Sequence, residues 1–198
     1  MRRAGHAGPV AFALALLAAA CTGNRPVELG TAFTPPGNTW LSSAHGRGAA
    51  AACPVRLAAV RNSLADPHVL GSIGARPIHA ADLDGWVRSG FYAVRGDARL
   101  TIVDADPPGT VPVAVSIDVL KAYTLSLTTE KSTNLVVKAR FSGRGGAEAE
   151  VTYRGVDTAV NWDSGQGETQ SSFDRALAHV LDQLDQDIVM RCTTGGED

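Results

Sequence analysis

Three cysteines are the residues with the most evident chemistry: Cys21, Cys53 and Cys192. Cys21 follows an apolar run, Val10 to Ala20, preceded by Arg2 and Arg3. A charged start, an apolar stretch of about 7–15 residues and small residues before a cut are the anatomy of a secretory signal. The run is too short to span a bilayer, which takes about 20 apolar residues. Because the small-residue site ends on a cysteine, Leu17-Ala18-Ala19-Ala20-Cys21 resembles a bacterial lipobox, whose Cys is diacylated and becomes the new N-terminus. Ala18 stands where Leu is commonest, with Leu17 one step further back. Each buried CH₂ contributes roughly 0.8 kcal/mol and one chain alone binds marginally, so several acyl chains are needed for a lasting anchor. Thr22 rather than Asp follows the Cys, a pattern that implies transfer to the outer membrane, facing the periplasm.

Cys53 and Cys192 are left after lipidation. In an oxidising compartment a leftover pair normally bridges. Free buried thiols, or one reactive thiol, are the alternatives, although neither Cys belongs to a Cys-x-x-Cys.

Other arrangements are weaker. Asp104 and Asp106 make a carboxylate pair at a strand end or a solvated turn. His179 and Asp182, three apart on a helix, suit a metal or an ordinary exposed pair. Asp182, Asp185 and Asp187 do not share one face and read as wet surface rather than a calcium loop. His45, His68 and His79 sit among loop-forming residues. Gly143-Arg144-Gly145-Gly146 lacks the spacing and the helix of a phosphate loop and reads as a hairpin tip. No Gly-x-Ser-x-Gly and no His-Glu-x-x-His occurs. The expectation is therefore no enzyme, no catalytic residue, no metal site and no cofactor.

Composition sets the frame for these residues. The chain has 198 residues, 44% hydrophobic and 19% charged, which is globular. Removing residues 1–20 takes away Arg2 and Arg3 and leaves 16 basic against 20 acidic residues, a net charge of −4. A chain with no basic surplus does not neutralise phosphate backbones, so nucleic acid is not an expected partner. Acidity also disfavours electrostatic adhesion to anionic lipid.

Residues 1–20 are thus expected to be a signal peptide, and residues 21–52 a lipidated Cys with a tether rich in Pro, Gly, Ser and Thr. Residues 53–192 form the domain, and 193–198 a tail. A flexible coil of residues 22–52 would span about 30 Å. Trp40 and Leu41 break its polar character, either by docking on the domain or as a partner contact.

Within the domain, Val55–Val60 reads as a strand, followed by a loop through Pro77. His79 to Phe91 carries Leu83, Trp86, Val87 and Gly90 at helical spacing. Arg99–Ala105 and Val111–Leu127 read as strands, the second drifting in phase near Lys121–Tyr123, as at a bulge or a bend. Asn134–Phe141 and Ala147–Arg154 alternate apolar and polar residues across the glycine-rich turn, and Val160 and Trp162 suggest one more edge segment. Phe173, Leu177, Val180, Leu181, Leu184 and Ile188 form a helical stripe, with Asp174, Asp182 and Asp185 opposite and Ser171 as cap. The expected fold is an α+β two-layer sandwich: an antiparallel sheet of four to five strands, one side wet, with two helices on one face.

The pattern resembles the YajG family of bacterial lipoproteins. The resemblance spans about residues 53–191 and rests on Cys21, Leu70-Gly71, the strand Val113–Tyr123, Tyr153-Arg154-Gly155 and the helix ending Asp185-Gln186-Asp187. It implies a periplasm-facing, non-enzymatic lipoprotein that binds or scaffolds an envelope protein or lipid. The arrangement is also similar to auxiliary lipoproteins of envelope lipid transporters, which act as docking parts.

Overall fold

The computed structural model describes residues 25–37, 53–96, 99–103, 113–143, 148–160 and 165–194. Eight strands make one curled, mixed sheet: β1 (Val27–Leu29), β2 (Cys53–Asn62), β3 (Val69–Ile73), β4 (Arg76–Ala80), β5 (Leu100–Val103), β6 (Val113–Ser126), β7 (Glu130–Gly143) and β8 (Glu148–Val160). Two helices, α1 (Leu83–Ala93) and α2 (Gln166–Thr194), cover the core face. The fold is α+β, as expected.

Only part of the sheet is antiparallel. β6, β7 and β8 form the alternating meander that the two-residue periodicity signals. β2, however, runs parallel to both β5 and β6. The reason is connectivity: after β2 the chain passes through β3, β4 and α1, and a crossover of that length returns it in the same direction. The expected four-to-five-stranded antiparallel sheet is thus corrected to a mixed sheet. Of its extra strands, β3 lies in the stretch up to Pro77 that the loop-forming residues suggested was irregular, and β4 begins there and runs on through His79, where a helix was expected, to Ala80. β1 falls within residues 21–52, and two of its three residues, Val27 and Leu29, are buried beside β4.

β6 organises the sheet. One edge pairs with β7 throughout, while the other pairs with β2 from Val113 to Val119 and touches β3 at Thr124. The register with β7 shifts between Val119 and Lys121. Leu120 is the extra residue, so the core-facing phase changes from Val113, Val115, Ile117 and Val119 to Ala122 and Thr124. The bulge expected from the phase drift is present.

α1 begins four residues later than the spacing suggests. His79 belongs to β4, and Asp82 caps the helix by accepting from Gly85 N–H at 2.7 Å. Leu83, Trp86, Val87, Gly90 and Phe91 are its buried stripe. α2 begins at Gln166, earlier than expected, so Ser171 is no cap; its hydroxyl donates to Gly167 O one turn back.

Two glycines admit close approaches. A Cβ on Gly155 would lie 1.8 Å from Ala176 O, so α2 rests on β8 backbone to backbone there. Gly71 has φ +92°, and a Cβ would come within 2.7 Å of Thr124 O, where β3 meets β6. Both lie in segments that carried the family resemblance. No described helix is long and apolar enough to cross a membrane.

Candidate functional site

The structure joins Cys53, the first residue of β2, to Cys192 in the last turn of α2. Their Cα atoms are 6.0 Å apart across a sequence separation of 139, within the usual disulfide span. Cys21 lies outside the described residues, as do Trp40, Leu41, His45, Asp104, Asp106, Arg144–Gly146 and Trp162.

The remaining polar candidates are dispersed. His179 Nδ1 lies 2.8 Å from Val156 O, and Gln183 Nε2 donates to Arg154 O at 3.0 Å. Two side chains of α2 thus cover outward carbonyls of the edge strand β8. Asp182 accepts from Gln186 Nε2 at 3.2 Å. His68 Nδ1 sits 3.5 Å from Ala80 O, and His79 Nδ1 is 3.6 Å from Glu28. Among the described residues no three His, Cys, Asp or Glu side chains cluster as a metal site.

Two residues expected on the wet side of α2, Asp174 and Asp185, are buried instead, and Asp187 is half-buried. Asp185 is fully buried and paired with Arg99 Nη2 at 3.2 Å. Asp174 accepts from Trp86 Nε1 and Gln170 Nε2, both at 2.9 Å. Burial pushes the Asp174 carboxyl above its usual range, with those donors opposing. Asp187 accepts from Tyr153 Oη at 2.5 Å; burial and this bond to a carboxylate hold the phenol protonated. Helical spacing alone did not reveal these contacts, because each partner comes from a distant segment.

A chain of hydroxyls runs under α2. Arg175 grips Asp157 through Nε and Nη2 at 2.7 and 2.9 Å, and Ser172 Oγ donates to the same carboxylate at 2.5 Å. Since the carboxylate only accepts, Ser172 must in turn accept from Thr133 (3.0 Å) and Thr133 from Thr124 (2.9 Å). Burial raises the Asp157 pKa, but the Arg175 and Ser172 bonds outweigh it and hold the carboxyl below its usual range. Lys131, buried on the same face, pairs with Glu168. The Ser172 hydroxyl is committed to a carboxylate locked by Arg175, an arrangement that clamps α2 to the sheet and presents no nucleophile.

The opposite face of the sheet carries a lattice of ion pairs. Asp118 pairs with Arg140 and lies 3.9 Å from Arg61, while Glu150 forms ion pairs with Arg140, 3.3 Å from its Nε, and with Lys138 at 3.4 Å. This face is wet, as the alternation implied.

One surface departs from that polarity. At the end of the sheet where β3 turns into β4, residues Ser72–Arg76 and Thr124–Thr128 line an open groove. Leu125 and Leu127 stand on it, 55% and 65% exposed. The bulge at Leu120 causes this. Beyond it the odd-numbered positions of β6 point away from the helices, so a run that continues to look apolar turns Leu125 outward, and Leu127 follows just past the strand's end, its N–H donating to Glu130 O. The phase drift was the signal for these residues, although the sequence reading did not single them out.

Neither a family model nor a curated protein matches the chain. Among solved structures, the fold is similar to that of protein XCC0632 from Xanthomonas campestris, of the family DUF330. The TM-score is 0.53 at 11% identity, over 88% of this chain and 98% of that one. A Caulobacter crescentus protein described as a lipoprotein has TM-score 0.39 and 14% identity over 54% and 80% of the two chains. Rare lipoprotein B from Shewanella oneidensis has TM-score 0.35 and 12% identity over 68% and 94%. At 11% identity the likeness to XCC0632 is one of fold alone, and it is not specific to the YajG family.

Proposed function

We propose that the protein is a lipoprotein of the YajG type, anchored in the outer membrane and facing the periplasm. There it serves as a non-enzymatic binding or scaffold domain. One observation carries the reading: Cys53 and Cys192 are joined to each other. That bridge suits an oxidising compartment. It also leaves Cys21 as the third cysteine of the chain, at the end of an apolar run, behind small residues. A thioether-linked and N-acylated Cys21, with palmitate among its chains, would supply the anchor. The clamped, ion-paired body suits a rigid carrier of surfaces.

Cys21→Ala tests the anchor. We expect the native protein in the membrane fraction and the variant released from it, with acyl chains on Cys21 seen by mass spectrometry of protein from its own host. An unacylated native N-terminus, or an unchanged distribution of Cys21→Ala, rejects the proposal. Crosslinking in intact cells separates the scaffold role from that of an auxiliary lipid-transport subunit: capture of inner-membrane transport components favours the second.

A further inference from the structure

The groove end of the sheet is also the end at which the chain from Cys21 arrives. β1 runs parallel to β4 with Val27 opposite Ile78, which sets Arg25 beside Arg76. Arg76 Nε donates to Arg25 O at 3.1 Å. Ile73 pairs with Arg76, and Gly71 with Thr124, so Ile73 is level with Ser126. Ser126 faces Lys131, and Glu130 faces Val160. Arg25, the β3–β4 turn, Leu127 and Val160 therefore stand along one rim, with Leu125 just inside it.

Only Thr22, Gly23 and Asn24 separate Cys21 from Arg25. Fully extended, that length of chain reaches about 14 Å. The tether is short because β1 is built into the sheet, and an acylated Cys21 cannot hold the domain further away than that. The rim nearest the anchor is the one that exposes Leu125 (55%), Leu127 (65%) and Val160 (50%). The charged groups beside them are Arg25, Arg76 and the exposed Glu130, and the three apolar side chains are what the rim offers a bilayer interior.

We propose that this rim lies on the bilayer that holds the anchor, with Leu125 and Leu127 entering the interfacial layer as a second, protein-borne contact. The inference rests on the acylation of Cys21. It fixes the domain's orientation: the β3–β4 turn faces lipid, and the opposite end of the long strands, at Val113 and Ser142, faces away. Apolar side chains at such an interface reach about 5–10 Å into the headgroup and acyl boundary.

The test uses the full acylated protein in vesicles of brominated phosphatidylcholine, whose bromines quench a nearby indole. Leu127→Trp places a probe on the rim, and Ser142→Trp places one at the far end. Bromolipid should quench the added emission of Leu127→Trp at least about twofold more than that of Ser142→Trp. Leu125→Asp in the Leu127→Trp background should abolish the difference while the protein stays on the vesicles. Equal quenching of the two probes in a protein shown by mass spectrometry to be acylated overturns this orientation and leaves the lipoprotein reading standing. A chain without acyl groups overturns both.

Discussion

At the scale of single residues, Asp157 and Asp174 show how two acids near the same helix acquire opposite behaviour. Asp157 is charged in a grip of donors and its pKa is lowered, whereas Asp174 is buried and its pKa is raised. A lowered native pKa contributes stability that is complete above the unfolded carboxylate value, about 4, and is lost as pH falls through the native value. A raised one contributes stability present below the unfolded value and lost as pH rises through the native value. The acid limb of unfolding should therefore carry Asp157, with Asp174 working against it. Urea midpoints at about pH 7 and pH 3 should fall less steeply in Asp157→Asn than in the native chain. At neutral pH the same substitution should cost about 1–2 kcal/mol, because the bonded Arg175 is partly solvated. A parallel pH dependence in both proteins would show that Asp157 does not carry the acid limb. None of this was legible in the sequence. Asp174, Asp185 and Asp187 share a helix with polar neighbours, and only the arrival of Trp86, Arg99 and Tyr153 from other segments distinguishes them from solvated surface.

At the scale of elements, the strongly periodic segments were readable. The stripe from Phe173 to Ile188 is buried as its spacing implied, and the alternation in β6, β7 and β8 matches their burial. Short elements were not. A three-residue strand such as β1 has too few positions to display a period of two. β3, interrupted at Gly71, owes its place to its pairing with β4 and β6. The approach of α2 to β8 is equally invisible locally, since Gly155 looks like any turn former until Ala176 O is seen above it. Gly155→Ala should force the helix off the strand and destabilise by about 3 kcal/mol, the upper range for overpacking, because the obstruction is backbone rather than a side chain that can rotate. Chemical denaturation measures this directly, and a loss below about 0.5 kcal/mol, the level of an ordinary surface change, would contradict the close contact.

At the scale of the molecule, the bridge between Cys53 and Cys192 ties the beginning of β2 to the end of α2 and encloses nearly the whole described domain. Closing a loop of that length stabilises by up to about 5 kcal/mol in the chain-entropy account, and typically by 2–4. Cys53→Ser combined with Cys192→Ser should lower stability by that order, and reducing agent should shift the unfolding midpoint of the native chain alone. A native midpoint insensitive to reductant, with full reduction verified, would mean that the bridge contributes nothing. The same bridge leaves Cys21 as the third cysteine of the chain, the one the proposed anchor would use.

The sequence by itself determined the α+β class and the long elements, which are written in local periodicity, and pointed to an irregularity in β6 and to a leftover pair of cysteines without deciding either. Tertiary structure alone decided the mixed direction of the sheet, the burial of Asp174 and Asp185 and the outward turn of Leu125. Those depend on which distant segments meet, and on a single inserted residue, Leu120, that exchanges the two faces of every position beyond it.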